Sequence, residues 1–228
     1  LGINLSGTDR KLCNYNCVYC FYGLTGKPPA DGEYPSADEV VSAVEEALRS
    51  DVEADWLTFS GNGESTIHPE FPDIVRRVRR SVDEIRPGLR IALLSNGSTI
   101  LEDGVRDALQ WIDLPVFKLD AGDQETFVKV NRPTGSAPDI NDLIEGLHRI
   151  ATERELTMQS LLFDGDPSNV IGKPFLKWLG ALSYIRPHTQ QLYSLDFRFG
   201  AIYPVEVGIL NDIAHDISLF GTHVKVYT

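Results

Sequence analysis

The sequence predicts an α/β fold built on a parallel sheet. Three observations carry this. Apolar runs rich in Val, Ile, Leu and Phe alternate with amphipathic stretches from one end of the 228 residues to the other. The candidate strands are apolar on both faces, so both faces must be covered, and helices returning between parallel strands do that. Polar, Gly-rich or Cys-rich segments follow strand after strand. In a doubly wound open sheet, as in a closed or partial barrel, functional residues gather at those carboxyl ends.

The elements follow in order. Leu1-Gly-Ile-Asn-Leu5 reads as a strand running into a cysteine loop. Pro35-Ser36-Ala37-Asp38-Glu39 is a helix-start signal, and Val40, Val41, Val44, Ala47 and Leu48 then recur at i, i+3 and i+4. Trp56 to Phe59 is a strand, Phe71 to Val82 a helix, Arg90 to Leu94 a strand and Gly104 to Trp111 a helix. Pro115 to Leu119 is a strand, followed by a short helix from Glu125 to Val130 and a longer one from Ile140 to Glu153. Strand Leu156 to Phe163, helix Lys173 to Ile185, strand Gln191 to Phe197, helix Glu206 to Ser218 and strand Val224 to Tyr227 complete the series. No repeat, low-complexity tract or linker interrupts it, so one domain over 1–228 is expected. Leu1 opens a strand with no initiator Met, and the natural chain is expected to start upstream.

With 42% hydrophobic residues and 24% charged, the chain is neither disordered, collagenous nor coiled coil. No apolar run reaches the roughly 18 residues of a membrane span, and no secretory leader is visible. A cytoplasmic protein is expected. Lys and Arg number 21 against 33 Asp and Glu, a net charge of −12 that repels polyanions. The local exception is Arg76, Arg77, Arg79 and Arg80; Arg76, Arg77 and Arg80 share a helical face, read as solvated surface ahead of a phosphate or RNA contact.

The three cysteines, Cys13, Cys17 and Cys20, all lie in one eight-residue stretch spaced C-x3-C-x2-C. So crowded and odd a set argues for a metal site or reactive thiols rather than a disulfide framework. Three thiolates on a short loop suit three corners of an iron–sulfur cubane whose fourth iron stays open. The alternatives are a zinc site completed by His68, or plain buried thiols. After the second strand, Gly61 and Gly63 flank Asn62 and let backbone approach a ligand, while Glu64 suits an ammonium. Ser95 and Asn96 end the third strand with groups of the size that hold a carboxylate or ribose. Lys118 and Asp120 share a face and form either a ligand site or an internal ion pair. Gln159 with Phe163, and Ser194, Asp196 and Arg198, are further shared faces and substrate-site candidates. Arg132 either clamps an anion or stabilises its loop, and His68 opens a helix before Pro69.

The cysteine loop, with the aromatic Tyr19 before its last Cys, resembles that of the radical S-adenosylmethionine (radical SAM) enzymes. Ser60-Gly-Asn-Gly-Glu64, followed by Ser65-Thr-Ile-His68-Pro69, is similar to that family's glycine-glycine-glutamate segment, with Ser65 where the closest members have Pro. Leu93-Leu-Ser-Asn-Gly97, Lys118-Leu-Asp120 and Asn131-Arg132-Pro133 resemble the branch of the wybutosine-biosynthesis enzymes and their bacterial relatives. The resemblance implies a partial parallel (β/α)6 barrel forming a single core domain. It implies a [4Fe–4S] cluster on Cys13, Cys17 and Cys20, with SAM on the open iron. Tyr19, Gly61, Asn62, Gly63, Glu64, Ser95, Asn96 and Asp120 are then the expected SAM contacts, and Lys118, Asp120 and Arg198 the expected catalytic or substrate-positioning set. The implied reaction is reductive cleavage of SAM to a 5′-deoxyadenosyl radical, followed by hydrogen abstraction from a small molecule or peptide. Its electrons would come from a flavodoxin- or ferredoxin-type donor. A tRNA substrate is the nearest analogy, but the acidic charge and the lack of cysteines for a second cluster weigh against it. A SAM-binding sensor without turnover is the non-enzymatic alternative.

Overall fold

The computed structural model describes residues 1–7, 11–25, 34–135 and 137–228 and has the expected α/β class. In chain order the elements are β1 (Gly2–Ile3), α1 (Ala37–Arg49), β2 (Trp56–Phe59), α2 (Phe71–Ile85), β3 (Arg90–Ser95), α3 (Asp103–Ala108) and β4 (Leu114–Lys118). They continue with α4 (Gln124–Val130), α5 (Ile140–Glu153), β5 (Thr157–Leu161), β6 (Phe163–Gly165), α6 (Gly172–Ile185), β7 (Thr189–Tyr193), β8 (Ile202–Pro204), α7 (Val207–Ser218) and β9 (His223–Val226). The main sheet has seven strands in the order β1-β2-β3-β4-β5-β7-β9; β6 and β8 form a separate antiparallel pair. The chain divides into two compact units, residues 1–14 with 22–116 and residues 15–21 with 117–228.

In the first unit β1, β2 and β3 pair in parallel, with Ile3 opposite Phe59 and Phe59 opposite Leu93. Ser36 and Glu39 close a reciprocal capping box at the start of α1, satisfying N–H groups the helix itself cannot. α1 buries Val40, Val44 and Leu48, and α2 buries Ile74, Val75, Val78 and Val82. Each such side chain contributes about 1.5–3 kcal/mol by leaving water. α2 runs beyond the expected Val82 to Ile85. Asp83 and Glu84 end the apolar periodicity, but Asp83 still pairs with Arg79 one turn earlier, so polarity marks a solvated face and not the helix end.

In the second unit β5, β7 and β9 are parallel. The fully buried Trp178 of α6 donates its indole N–H to the Leu119 carbonyl at 3.0 Å. Two expected strands are shorter than the apolar runs suggest. The run from Leu156 to Phe163 is broken after Leu161, because the buried Asn169 side chain donates to the Leu161 carbonyl at 2.8 Å and accepts from the Phe163 N–H at 2.9 Å. Phe163 therefore joins β6 and does not share a strand face with Gln159. β7 ends at Tyr193 and not at Phe197, since the Ser194 hydroxyl donates to the Leu162 carbonyl and accepts from the Val205 N–H. Ser194, Asp196 and Arg198 consequently do not form the expected alternating face.

Candidate functional site

The polar strand ends of the first unit converge on Glu64. Gly63 brings the chain there by a backbone contact that no side chain would permit: a Cβ on Gly63 would stand 1.9 Å from the Leu12 carbonyl oxygen. Leu12 and Gly63 form a parallel bridge, and the Glu64 N–H donates to Leu12 O at 2.8 Å. The close approach inferred for this glycine is thus filled by the cysteine loop itself. Gly61 faces the Asn4 side chain, and Asn62 lies half-buried between the two glycines.

Glu64 is buried, and its Oε1 accepts from the Thr66 N–H, the Thr66 hydroxyl and the Ser95 hydroxyl at 3.1, 2.7 and 2.9 Å. Its Oε2 accepts from the Asn96 N–H at 2.6 Å. Burial pushes its pKa above the usual carboxylate value, and these donors pull it back. Ser95 also accepts from the Gly97 N–H at 3.0 Å. Asn96, held at its backbone by Glu64, turns its side-chain amide toward Cys13: Nδ2 lies 3.6 Å from Sγ and 3.0 Å from Asn14 Oδ1. Its Oδ1 accepts from the Ser98 N–H at 2.9 Å. Glu64 therefore spends its hydrogen-bonding capacity on Thr66, Ser95 and the Asn96 backbone, and Ser95 ties Glu64 to the turn at Gly97.

The second unit holds the rest of the cysteine loop against the C-terminus of α4. The last carbonyls of a helix lack internal partners. Here Val130 O takes the Val18 N–H at 2.9 Å and Asn131 O takes the Asn16 N–H at 3.0 Å. Tyr15 packs edge-on against Phe127 at 5.3 Å and bridges to Pro133. Arg132 is exposed in a left-handed conformation, φ 47°, and its carbonyl also faces Asn16 N–H at 3.2 Å. Its backbone thus belongs to the loop's clip, while its side chain is exposed. Between the two clips, the Asn131 side chain puts Nδ2 3.4 Å from Cys17 Sγ and 3.1 Å from Asp120 Oδ2. Burial pushes the Cys17 thiol above its ordinary pKa and the Asp120 charge adds to this, against the Asn131 and Tyr19 hydrogen bonds.

Asp120 is the second hub. Its fully buried carboxylate accepts from the Leu161 N–H at 2.9 Å and the Tyr19 hydroxyl as well as Asn131, and pairs with Lys118 Nζ at 3.5 Å. Burial, reinforced by Asp120, raises the Tyr19 pKa well above normal, so its phenol stays a donor. Lys118 donates to the Tyr193 hydroxyl at 2.6 Å and lies 4.9 and 5.2 Å from the ring centres of Tyr193 and Tyr19. Burial disfavours its charge, yet Asp120 and Tyr193 outweigh it and hold the ammonium above its ordinary pKa. The Lys118–Asp120 pair is thus an internal ion pair whose lysine end is still 23% exposed.

Other expected residues lie apart from these hubs. Arg198 is exposed, with its guanidinium on the Gly200 carbonyl at 3.0 Å, and Asp196 is exposed beside it. Gln159 bonds Gln191 on the neighbouring strand. His68 accepts the Glu70 N–H on Nδ1 and spends Nε2 on the Pro35 carbonyl, so it sits at the start of α2 with no nitrogen left for zinc. Burial lowers its pKa. Asn169 and Tyr193 were not singled out from the sequence, and Asn131 enters there only within the Asn131-Arg132-Pro133 segment, without a role of its own. Tyr193 could have been found, because it ends a strand on the functional side.

Among the described residues no group of three or more His, Cys, Asp or Glu side chains is arranged to hold a metal ion. The chemistry of the donors nevertheless suits an iron–sulfur cluster. None of the three cysteines is in a disulfide, all are half-buried, and the sulfurs of Cys13 and Cys17 each face an asparagine N–H, the contact that cluster thiolates accept.

Comparison with known proteins joins these features. A UPF0026 protein of Helicobacter pylori is 33% identical over 168 residues, 72% of this chain and 52% of that protein, so the chain spans about half its length. A radical SAM methyltransferase from Sphaerobacter thermophilus superposes with a TM-score of 0.69 at 18% identity, over 99% of this chain and 64% of that one. TYW1, solved with a lysine-pyruvate adduct bound, gives 0.64 at 13% identity over 92% and 70%. These two show a common fold. The family model of the radical SAM superfamily matches residues 11–168, from the cysteine loop through both carboxylate hubs to the loop after β6, and the chain belongs to that superfamily.

Proposed function

We propose that the chain holds a [4Fe–4S] cluster on Cys13, Cys17 and Cys20, binds SAM beside it, and abstracts hydrogen from a small-molecule or peptide substrate. When bound, cluster and SAM supply one-electron reductive cleavage to methionine and a 5′-deoxyadenosyl radical. The observation that carries the reading is the pair of asparagine amides facing Cys13 and Cys17 in a loop of three cysteines that form no disulfide. The chain's own work is placement. Glu64 fixes Asn96, which with Tyr19 and the Gly61–Gly63 backbone is our candidate for SAM contact. Asp120 fixes Tyr19 and Lys118.

Lys118 and Tyr193 are our candidates for orienting substrate. TYW1 has been solved with a lysine-pyruvate adduct, but the Lys118 ammonium is held charged by Asp120 and Tyr193, and a protonated amine is no nucleophile. We assign it to pairing with an anionic or carbonyl oxygen. A flavodoxin- or ferredoxin-type donor in the cytoplasm would supply the electron, and residues 1–228 would act as one core domain. The test is cluster content after anaerobic reconstitution. Wild type should hold about four iron and four sulfide per chain, and Cys13→Ala, Cys17→Ala and Cys20→Ala none. Stoichiometric zinc without iron in the wild type contradicts the reading.

A further inference from the structure

We infer that Asn131 is a positioning residue that sets the reduction potential of the cluster by donating its side-chain N–H to the Cys17 sulfur. This rests on the cluster reading above and goes beyond it, since ligation requires only the thiolate. The contact is built and not incidental. Asn131 is 4% exposed, and its own N–H is spent on Phe127 O at 2.8 Å, so the residue is fixed at the end of α4. Cys17 is fixed in turn by the main-chain bonds of its two neighbours, Asn16 to Asn131 O and Val18 to Val130 O. The same helix end thus sets the backbone of both partners, and their side chains meet with Nδ2 3.4 Å from Sγ.

The direction of the effect follows from charge. The cluster gains one electron from its donor and no proton, and part of that charge falls on the thiolate sulfurs. A donor on sulfur stabilises the reduced form more than the oxidised one and raises the potential. Asn131 also occupies Asp120 Oδ2 at 3.1 Å. Asp120 is negative and buried close to Cys17, so it opposes reduction, and the amide spreads and screens that charge. Removing Asn131 takes away the donor and bares the carboxylate, and both changes lower the potential. Partners of this kind around a ligand set are known to tune metal sites generally.

The experiment is an anaerobic redox titration of the reconstituted chain without SAM, followed by the electron paramagnetic resonance signal of the reduced cluster. Asn131→Ala and the isosteric Asn131→Asp should keep the wild-type iron and sulfide content. At the wild-type midpoint potential, however, their ratio of reduced to oxidised cluster should fall about tenfold, a shift of about 59 mV for one electron. Asn131→Gln, which keeps the amide, should recover part of the loss. If Asn131→Ala fails to fold, Asn131→Asp carries the comparison. Full cluster content with an unchanged midpoint in both variants overturns the inference and leaves the cluster reading standing. Failure of the wild type to take up iron and sulfide overturns the cluster reading, and this inference with it.

Discussion

A carboxylate offers about four lone-pair positions, and Glu64 receives four donors from Thr66, Ser95 and Asn96. Asp120 is filled likewise by Leu161, Tyr19, Asn131 and Lys118. Both read in sequence as groups aimed at a ligand, and in the structure both also act as brackets that hold neighbouring residues in place. Glu64→Ala therefore tests structure before binding. It orphans the buried Thr66 and Ser95 donors and the half-buried Asn96 N–H, which costs about 1–3 kcal/mol, while relief of the carboxylate's burial offsets a part. A net loss of about 2 kcal/mol is expected, which lowers Tm by roughly 4–8 °C at this chain length. A thermal melt with Tm unchanged and only SAM affinity lost would return Glu64 to the role of ligand.

At the scale of elements, the cysteine loop is held by the Leu12–Gly63 bridge in one unit and by the end of α4 in the other. The two glycines of the same motif should respond unequally. A Cβ on Gly63 meets backbone at 1.9 Å, which no rotamer can relieve, whereas one on Gly61 meets the tip of Asn4 at 2.4 Å, which can swing aside. Gly63→Ala should fail to give soluble, cooperatively melting protein, and Gly61→Ala should melt within a few degrees of wild type; equal behaviour of the two contradicts the packing argument. Elements whose own pattern decides them were legible in the sequence, such as β2 at Trp56–Phe59 and α5 at Ile140–Glu153, where the bounds coincide. The break after Leu161 and the end of β7 were not, because Asn169 and Ser194 impose them by side-chain bonds to backbone that no local periodicity encodes. The same holds within the site. The cysteine spacing was plain, but the asparagine that faces Cys17 lies 114 positions along the chain.

For the whole molecule, charge bears on partners. The net charge is −12, and three of the four arginines on α2 are already paired: Arg76 with Asp73, Arg77 with Asp38 and Asp73, Arg79 with Asp83 and Asp113. Few cations remain there to release counterions from phosphate. Binding of this chain to bulk tRNA should be weak at physiological salt, and tight, salt-sensitive binding abolished by reversing Arg76, Arg77 and Arg80 to Glu would restore a tRNA substrate. The central claim, that the superfamily's fold here carries its chemistry, is tested most directly by the fate of SAM. Reconstituted chain, reduced with dithionite in the presence of SAM, is predicted to release 5′-deoxyadenosine and methionine in equal amounts, and Cys17→Ala to release neither. A fully loaded, reduced wild-type chain that binds SAM and yields no 5′-deoxyadenosine would contradict the account and identify a sensor in place of an enzyme.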